Sequence, residues 1–179
     1  MRSKIIEAAR ALLADPRAGV FSIDAVAERA DVARMTIYYQ FESKAKLLEA
    51  LFDDIAARSD MRRMRRVFEE PDLQRSLSIL VDVFCHLWET ERSVLRRLTT
   101  LAALDPDVDK ALKERGKWRH QALSTLFERS PERKNLTDLI NVLHAITSFE
   151  TYATLREVQS RNKVYESVKR AADALVRSY

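Results

Sequence analysis

The chain has 179 residues, of which 46% are hydrophobic and 32% are charged, so it is long enough for one or two domains with hydrophobic cores. It contains only two glycines and four prolines, and no stretch alternates apolar and polar residues as a strand does, so we predict an all-α fold. No run approaches about eighteen apolar residues, which argues against a membrane span, and the net charge of +4 is compatible with nucleic acid without requiring it.

The N-terminal residues enter an amphipathic helix directly, without the uninterrupted apolar segment of a signal peptide. The single cysteine, Cys85, cannot form a disulfide within the chain, which fits a reducing compartment. We therefore expect a cytoplasmic protein with no membrane partner.

Hydrophobic residues at helical spacing predict three short helices near the N-terminus, at about residues 3–14, 23–30 and 34–41. Ser22 precedes the second helix and is suited to cap its free N–H groups. Asp31 follows that helix, and it tolerates a left-handed turn conformation better than most residues other than glycine. The short spacing between the second and third helices predicts a helix-turn-helix.

A fourth helix is predicted from Ser43 to about Arg66, and its basic end is consistent with a solvated helix terminus or with a phosphate-contacting surface. Residues 69–72 form the best candidate boundary. Beyond them the pattern predicts five further helices, which brings the expected total to about nine: 73–91, 93–103, 107–129, 133–157 and 161–178. Asp105-Pro106, Ser130-Pro131 and residues 159–162 separate the later ones.

The third helix has two distinct faces. Ile37 and Phe41 are four residues apart and are expected to face the core. Met35 and Tyr39 then lie on the opposite side, where a surface helix would not normally expose such residues. Insertion of this face into the major groove of DNA would explain why these residues are exposed. The alternative is a helical hairpin whose aromatic residues pack on a neighbour, but Tyr38 and Tyr39 are about 100° apart, so one core would bury only one of them well.

The run from Thr36 to Lys44, TIYYQFESK, followed by Leu47 and Leu48, resembles the signature of the TetR family of repressors. That signature reads Thr, aliphatic, Tyr, any residue, Tyr or His, Phe, any residue, Ser or Asn, Lys. The segment 23–30 is similar to the family's second helix, and the specific resemblance covers about residues 3–55. It implies a three-helix helix-turn-helix DNA-binding head at 1–46 and a larger helical domain for effector binding and dimerisation at 47–179.

The resemblance also implies roles for individual residues. The positions that hold the DNA backbone in the family correspond here to four polar residues: Ser22, Thr36, Tyr38 and Lys44. The variable positions through which family members read bases correspond to Arg34, Met35 and Tyr39.

Three residues depart from the family pattern. Gln40 stands where Tyr or His is usual; it can still donate to a phosphate but stacks less well. Asp31 replaces a common turn glycine. Ala33 replaces the usual serine cap of the recognition helix, which costs about 1 kcal/mol of local helix stability.

The predicted helices 133–157 and 161–178 are suited to pair two subunits. The first carries two apolar stripes: Leu136, Leu139, Ile140, Leu143 and Ile146 on one side, and Val142, Ala145, Phe149, Tyr152 and Ala153 on the other. The second lines up Val164, Val168, Ala171, Ala172 and Leu175. The TetR resemblance implies a homodimer built on a four-helix bundle of these elements. Two recognition helices would then lie about 34–36 Å apart, or a multiple of that distance.

The resemblance places an effector pocket among the helices behind the head. Its candidate ligand-binding residues are the aromatic and histidine side chains of this region: Phe84, His86, Trp88, Trp118, His144 and Phe149. The many leucines suggest an apolar or amphipathic effector, and plain core packing is the alternative for each residue.

His86, His120 and His144 have no ligand partners at metal-binding spacing, so we expect no metal site. No nucleophile and base stand at a suggestive spacing either, so we expect no enzyme activity and no cofactor.

The sequence thus predicts a ligand-responsive repressor that binds a palindromic operator in double-stranded DNA as a homodimer and is released by a small molecule. An activator, or a helical protein-interaction module without an effector pocket, remains the alternative.

Overall fold

The structure is a computed structural model that describes residues 1–129 and 135–179. In these two ranges the chain forms eleven α-helices and one short 3₁₀ helix, with no strand, which confirms the all-α prediction. None of the helices in them is long and apolar enough to span a bilayer. In chain order they are α1 (Arg2–Ala14), α2 (Ile23–Ala30), α3 (Arg34–Phe41), α4 (Lys44–Arg58), α5 (Met64–Glu69), α6 (Leu73–Thr90), α7 (Arg92–Ala102), α8 (Pro106–Phe127), α9 (Leu136–Ile146), α10 (Phe149–Val158) and α11 (Arg161–Ser178).

The chain divides into two compact units, and the first consists of Met1–Arg58 and Glu91–Glu114. Helix α1 packs against α2, α4 and α7, while α3 packs against α2 and α4. The core of this unit is aliphatic and aromatic, and its most buried members include Ile5, Ala9, Val26, Ile37, Leu47, Leu48 and Leu98. The three N-terminal helices are therefore held on a support made of α4 and α7.

An ion pair lies at the centre of this support. Both Glu91 carboxylate oxygens accept hydrogen bonds from one guanidinium nitrogen of Arg10, at 2.7 and 3.1 Å. A second nitrogen of Arg10 lies 3.3 Å from the Asp54 carboxylate. Glu91 is only 1% exposed, so its charge is stabilised by Arg10 rather than by water. The contact ties α1 to the residue that precedes α7.

The second unit consists of Ser59–Thr90 and Arg115–Tyr179. Helix α6 packs against α5, α10 and α11, and α11 also packs against α9 and α10. The Tyr152 hydroxyl donates to Glu89 at 2.5 Å, and Arg156 binds the same carboxylate at 3.0 and 3.1 Å. Burial, followed by the hydrogen bond to Glu89, raises the pKa of Tyr152, so the phenol stays protonated and donates.

Two predicted helices are interrupted, which explains why the chain has more helices than expected. The helix predicted from Ser43 to about Arg66 is wrong as one element: α4 ends at Arg58, and a 3₁₀ turn at Met61–Arg63 leads into α5. Asp60 adopts a left-handed conformation with φ of 51°, which breaks the helix without glycine or proline. Arg63 of the basic run forms an ion pair with Asp82 of the same unit.

The single helix predicted at 133–157 is also wrong, because it is divided into α9 and α10. The Thr147 hydroxyl donates to the Leu143 carbonyl at 2.8 Å, and the Ser148 hydroxyl accepts from the Thr151 N–H at 3.2 Å. These local bonds end one helix and cap the next. The second apolar stripe is consequently split, and its members Phe149 and Tyr152 are buried within the chain.

The expected boundary at residues 46 and 47 falls inside α4, whose whole length belongs to the first compact unit. The boundary separates two proposed functions, DNA binding and effector binding, whereas the compact units are defined by packing. It therefore stays a prediction. The predicted Ser130-Pro131 break and the start of the 133–157 helix lie outside the described residues.

Replacing Glu91 by alanine should lower the free energy of unfolding by about 3 kcal/mol, because Arg10 would lose its buried partner. Chemical denaturation measures this loss. Asp109→Ala, which breaks the exposed pair with Lys113, should cost at most about 0.5 kcal/mol. Equal losses in the two variants would contradict the role assigned to the Arg10–Glu91 pair.

Candidate nucleic-acid interface

Helices α2 and α3 are joined by a tight turn that their sequence explains. The Ser22 hydroxyl accepts from the Ala25 N–H at 3.1 Å and caps α2, as predicted. Asp31 is left-handed, with φ of 48°, also as predicted. The N–H groups of Asp31 and Val32 donate to carbonyls of the last turn of α2, which closes the helix end. Ala33 provides no side-chain cap for α3.

Helix α3 presents two opposite faces. Ile37 is fully buried and Phe41 is 2% exposed, whereas Tyr39 is 82% exposed and Met35 is 57% exposed. This division agrees with the helical wheel. Because the buried pair fixes the rotation of a two-turn helix, the exposed pair must project into solvent. The outer surface therefore carries an aromatic and a thioether side chain with no neighbour to cover them.

The end of α3 leads directly into α4. Glu42 has φ of 66°, and its N–H donates to the Tyr38 carbonyl at 2.8 Å. The Ser43 hydroxyl then accepts from the Lys46 N–H at 3.2 Å and caps α4. A capped helix N-terminus beside the recognition helix offers backbone N–H groups to a phosphate.

Arg34 is held on the surface by two side chains. One of its nitrogens donates to both oxygens of Asp24, at 2.9 and 2.7 Å, and another donates to the Tyr38 hydroxyl at 3.2 Å. The hydrogen bond to Tyr38, and then the charge of Asp24, raise the pKa of Arg34. The guanidinium is thus extended between α2 and α3, at the start of the outer face of α3.

Lys44 forms an ion pair with Asp105, the residue that precedes α8 in the same compact unit. Both side chains are more than three-quarters buried, so the pair is partly shielded from water. The sequence indicated Asp105 only as a helix boundary. A phosphate at Lys44 would therefore share the ammonium group with Asp105 or displace it.

Two N-terminal cations approach the helix-turn-helix, and sequence reasoning assigned them no role. Arg2 donates to the Gln40 carbonyl at 2.6 Å, and its guanidinium lies 4.2 Å from the centre of the Phe41 ring. Lys4 donates to the Asp31 carbonyl at 3.5 Å. Arg2 therefore brings a positive charge to the C-terminal end of α3, where the helix dipole also favours a cation.

Comparison with known proteins identifies this motif. Residues 5–51 match the family model described as bacterial regulatory proteins, tetR family. The match covers α1 to α3 and the first half of α4, about a quarter of the chain, and this segment is similar to the TetR family. A search among curated proteins found no match.

Solved structures share the fold of this chain over nearly its whole length. A TetR transcription regulator from Haloarcula marismortui has 14% identity and a TM-score of 0.73, with 99% of this chain and 96% of that chain covered. The fatty acid degradation regulator FadR from Bacillus halodurans has 17% identity and a TM-score of 0.70, with coverage of 96% and 97%. A protein from Saccharomonospora viridis, named as a transcriptional regulator and solved with choline, has 20% identity and a TM-score of 0.69, with coverage of 94% and 93%.

The predicted DNA-binding residues all lie between Ser22 and Lys44, in the helix-turn-helix and at the start of α4. Three are exposed, namely Arg34, Met35 and Tyr39, and the others are half-buried: Ser22, Thr36, Tyr38, Gln40 and Lys44. Their contacts with DNA stay predictions. Asp24 and Asp105 were missed as their partners because both pairings join residues far apart in sequence.

The predicted ligand-binding residues fall into two groups in the second unit. Phe84, Trp88, Trp118 and Phe149 form one aromatic cluster, with ring centres 5.6 to 6.4 Å apart along the chain of contacts. His86 instead contacts Arg161, at 3.3 Å.

His144 is connected to the aromatic cluster through Arg119, which lies 5.8 and 5.6 Å from the Phe84 and Trp88 ring centres. A narrow crevice, with essentially no room for a water-sized molecule, is lined by Phe84 and Trp88, together with Val81, Cys85, Thr147 and Tyr152. The other candidates do not line that crevice, and the ligand-binding role of all six stays a prediction.

Replacing Asp24 by alanine should strengthen binding to duplexes of any sequence several-fold at low salt, because it releases Arg34 and removes a negative charge that faces DNA. Fluorescence anisotropy with two unrelated duplexes measures the effect. Glu128→Ala removes an exposed acidic residue that directly follows α8, outside the helix-turn-helix, and serves as the charge control. If Asp24→Ala bound no tighter than Glu128→Ala, Asp24 would not compete with DNA for Arg34.

Proposed function

We propose that this protein is a ligand-responsive transcriptional repressor that binds a palindromic operator as a homodimer. The observation that carries this proposal is the outer face of α3, where Tyr39 and Met35 are exposed while Ile37 and Phe41 anchor the helix. An exposed aromatic face on a helix of this motif is suited to the major groove of duplex DNA.

The charges and hydrogen-bonding groups around α3 support a division of roles. Arg34, Met35 and Tyr39 lie on the exposed face and would contact base edges. The half-buried polar set would contact phosphates: Ser22, Thr36, Tyr38, Gln40 and Lys44. The N–H groups at the start of α4 would add backbone contacts to the same phosphates.

Dimerisation is part of the proposal because α3 has only eight residues and contacts few bases alone. The proposed pairing elements are the predicted segments 133–157 and 161–178, which contain α9, α10 and α11. Leu139, Ile140 and Leu143 of α9 are buried within the chain, while Val142 is 37% exposed on another side of the helix. Sedimentation at micromolar concentration should give twice the chain mass of 20.7 kDa, and a monomer would contradict this part of the proposal.

The proposed effector is an apolar or amphipathic small molecule that acts in the cytoplasm. The aromatic cluster around Trp88 supports an apolar component, since such clusters line most small-molecule sites. Proteins of the same fold include a fatty acid degradation regulator and a regulator solved with choline. The effector would favour a spacing of the two DNA-binding heads that no longer matches the operator.

A protein-interaction module without an effector pocket is the second candidate, and one observation favours it. The crevice beside Phe84 and Trp88 has essentially no room for even a water-sized molecule, whereas typical ligand pockets measure roughly 300 Å³ or more. Such a module would not bind a palindromic fragment from beside its own gene with a steep dependence on salt.

Lys44→Ala and Tyr38→Phe should each weaken binding to that palindromic fragment and to unrelated duplexes by a similar factor, about tenfold or less. Lys44→Ala should also reduce the slope of log affinity against log salt by about 1, because one phosphate contact is lost. Tyr38→Phe removes a neutral group, so its slope should stay unchanged.

Lys113→Ala, on the exposed side of α8, is the matched lysine control and should leave both quantities unchanged. Thermal unfolding of each variant checks that the loss of the Lys44–Asp105 pair has not unfolded the head. If Lys44→Ala retained the wild-type slope while folded, Lys44 would not contact phosphate.

A further inference from the structure

Arg119 of α8 is a buried cation in the second compact unit. The residue is 7% exposed, and its guanidinium lies over the rings of Phe84 and Trp88 at 5.8 and 5.6 Å. Burial lowers the pKa of Arg119 to about 10, so the group is still charged at neutral pH. A full positive charge is therefore enclosed by aromatic side chains.

No carboxylate neutralises this charge among the described residues, 1–129 and 135–179. One guanidinium nitrogen lies 3.1 Å from His144 Nε2 and donates to the His144 carbonyl at 3.2 Å. Arg119 Nε is buried and has no hydrogen-bond partner in the same residues. Glu150 is close enough to raise the pKa but forms no ion pair with the group. A buried, unpaired guanidinium is costly, and cation–π contacts offset only part of that cost.

His144 does not supply the missing negative charge. Burial, and then the charge of Arg119, lower the pKa of His144, so the imidazole is neutral at pH 7. His144 Nε2 lies 3.0 Å from the Gly116 carbonyl as well as 3.1 Å from Arg119. One nitrogen cannot donate to the carbonyl and accept from the guanidinium at once. When it donates to Gly116, a further N–H of Arg119 is left for another acceptor.

The aromatic side chains near Arg119 differ in how deeply they are buried. Phe84, Trp88 and Phe149 are buried, whereas Trp118, next to Arg119 in the chain, is 48% exposed and contacts the edge of Phe84. Trp118 is therefore the member of the aromatic cluster that can move without disrupting the core. Its displacement would give a ligand access to the guanidinium.

We propose that Arg119 binds the carboxylate of an amphipathic monocarboxylate effector whose apolar body packs against Phe84, Trp88 and Trp118. The proposal rests on the effector response proposed above and specifies its chemistry. A planar guanidinium with an unsatisfied N–H matches a carboxylate, and binding would neutralise the buried charge. A quaternary ammonium such as choline would instead be repelled by Arg119.

The test uses the tryptophans themselves, because both tryptophans of the chain lie in the cluster. The full chain, without DNA, is titrated with octanoate and phenylacetate and with their amide and amine counterparts, while tryptophan fluorescence is recorded. The acids should give a saturable change with an affinity at least about tenfold above that of the amides, since the amide lacks the charge-assisted contact. The amines should not bind.

Arg119→Met should weaken the binding of the acids at least about tenfold and leave that of the amides unchanged. Arg115→Met, which removes an exposed arginine one turn earlier on α8, is the matched control and should bind the acids as the wild type does. If Arg119→Met does not fold, Arg119→Lys is used instead. Lysine keeps the positive charge but lacks the planar guanidinium, so the affinity for the acids should fall several-fold.

Three results would overturn the proposal: equal affinity for acids and amides, wild-type affinity for the acids in the Arg119 variant, or no saturable change with either acid. The proposed function is tested separately, by adding the acid to the protein–DNA complex. Arg119-dependent binding of the acid without release of DNA would contradict the effector mechanism and leave the carboxylate site standing. Operator binding without any acid binding would contradict the carboxylate site and leave the proposed DNA-binding function standing.

Discussion

The burial of Ile37 and Phe41 is the constraint on which the proposed DNA-binding surface depends. Helix α3 has two turns and lacks a side-chain cap, so it has little stability of its own. The two anchors set both its position and its rotation, and Tyr39 and Met35 face outward as a result. The turn at Asp31 connects α3 to α2, and the cap at Ser43 begins α4. The orientation of α3 is set by its two buried anchors rather than by these connections.

The cations of the proposed interface are already engaged in the free protein. Arg34 binds Asp24, and Lys44 binds Asp105, so in the proposed function DNA binding would exchange these carboxylate partners for phosphates or bases. The Arg34 pair is exposed and exchanges at little cost, whereas the Lys44 pair is partly buried and costs more to separate. Affinity in this head therefore depends on a difference between two sets of ionic contacts, which salt changes strongly.

Local pattern was enough to predict the all-α fold, the helix-turn-helix and the two faces of α3. It was not enough where polar side chains override hydrophobic spacing: Asp60 ends α4, and Thr147 and Ser148 divide α9 from α10 without glycine or proline. It also could not find Arg119, because its burial depends on contacts with helices that are distant in sequence. Partners across the fold are set by tertiary packing, which periodicity does not encode.

The central claim is that the outer face of α3 reads DNA sequence, and selection of bound duplexes from a random pool tests it most directly. The wild-type chain should enrich a palindrome whose half-sites lie about one helical turn, or a multiple of it, apart. Arg34→Ala and Tyr39→Ala, if folded, should enrich a different or relaxed motif, because they alter base contacts rather than phosphate contacts. Recovery of the unchanged wild-type motif by both variants, or no enrichment by the wild type, would contradict the account.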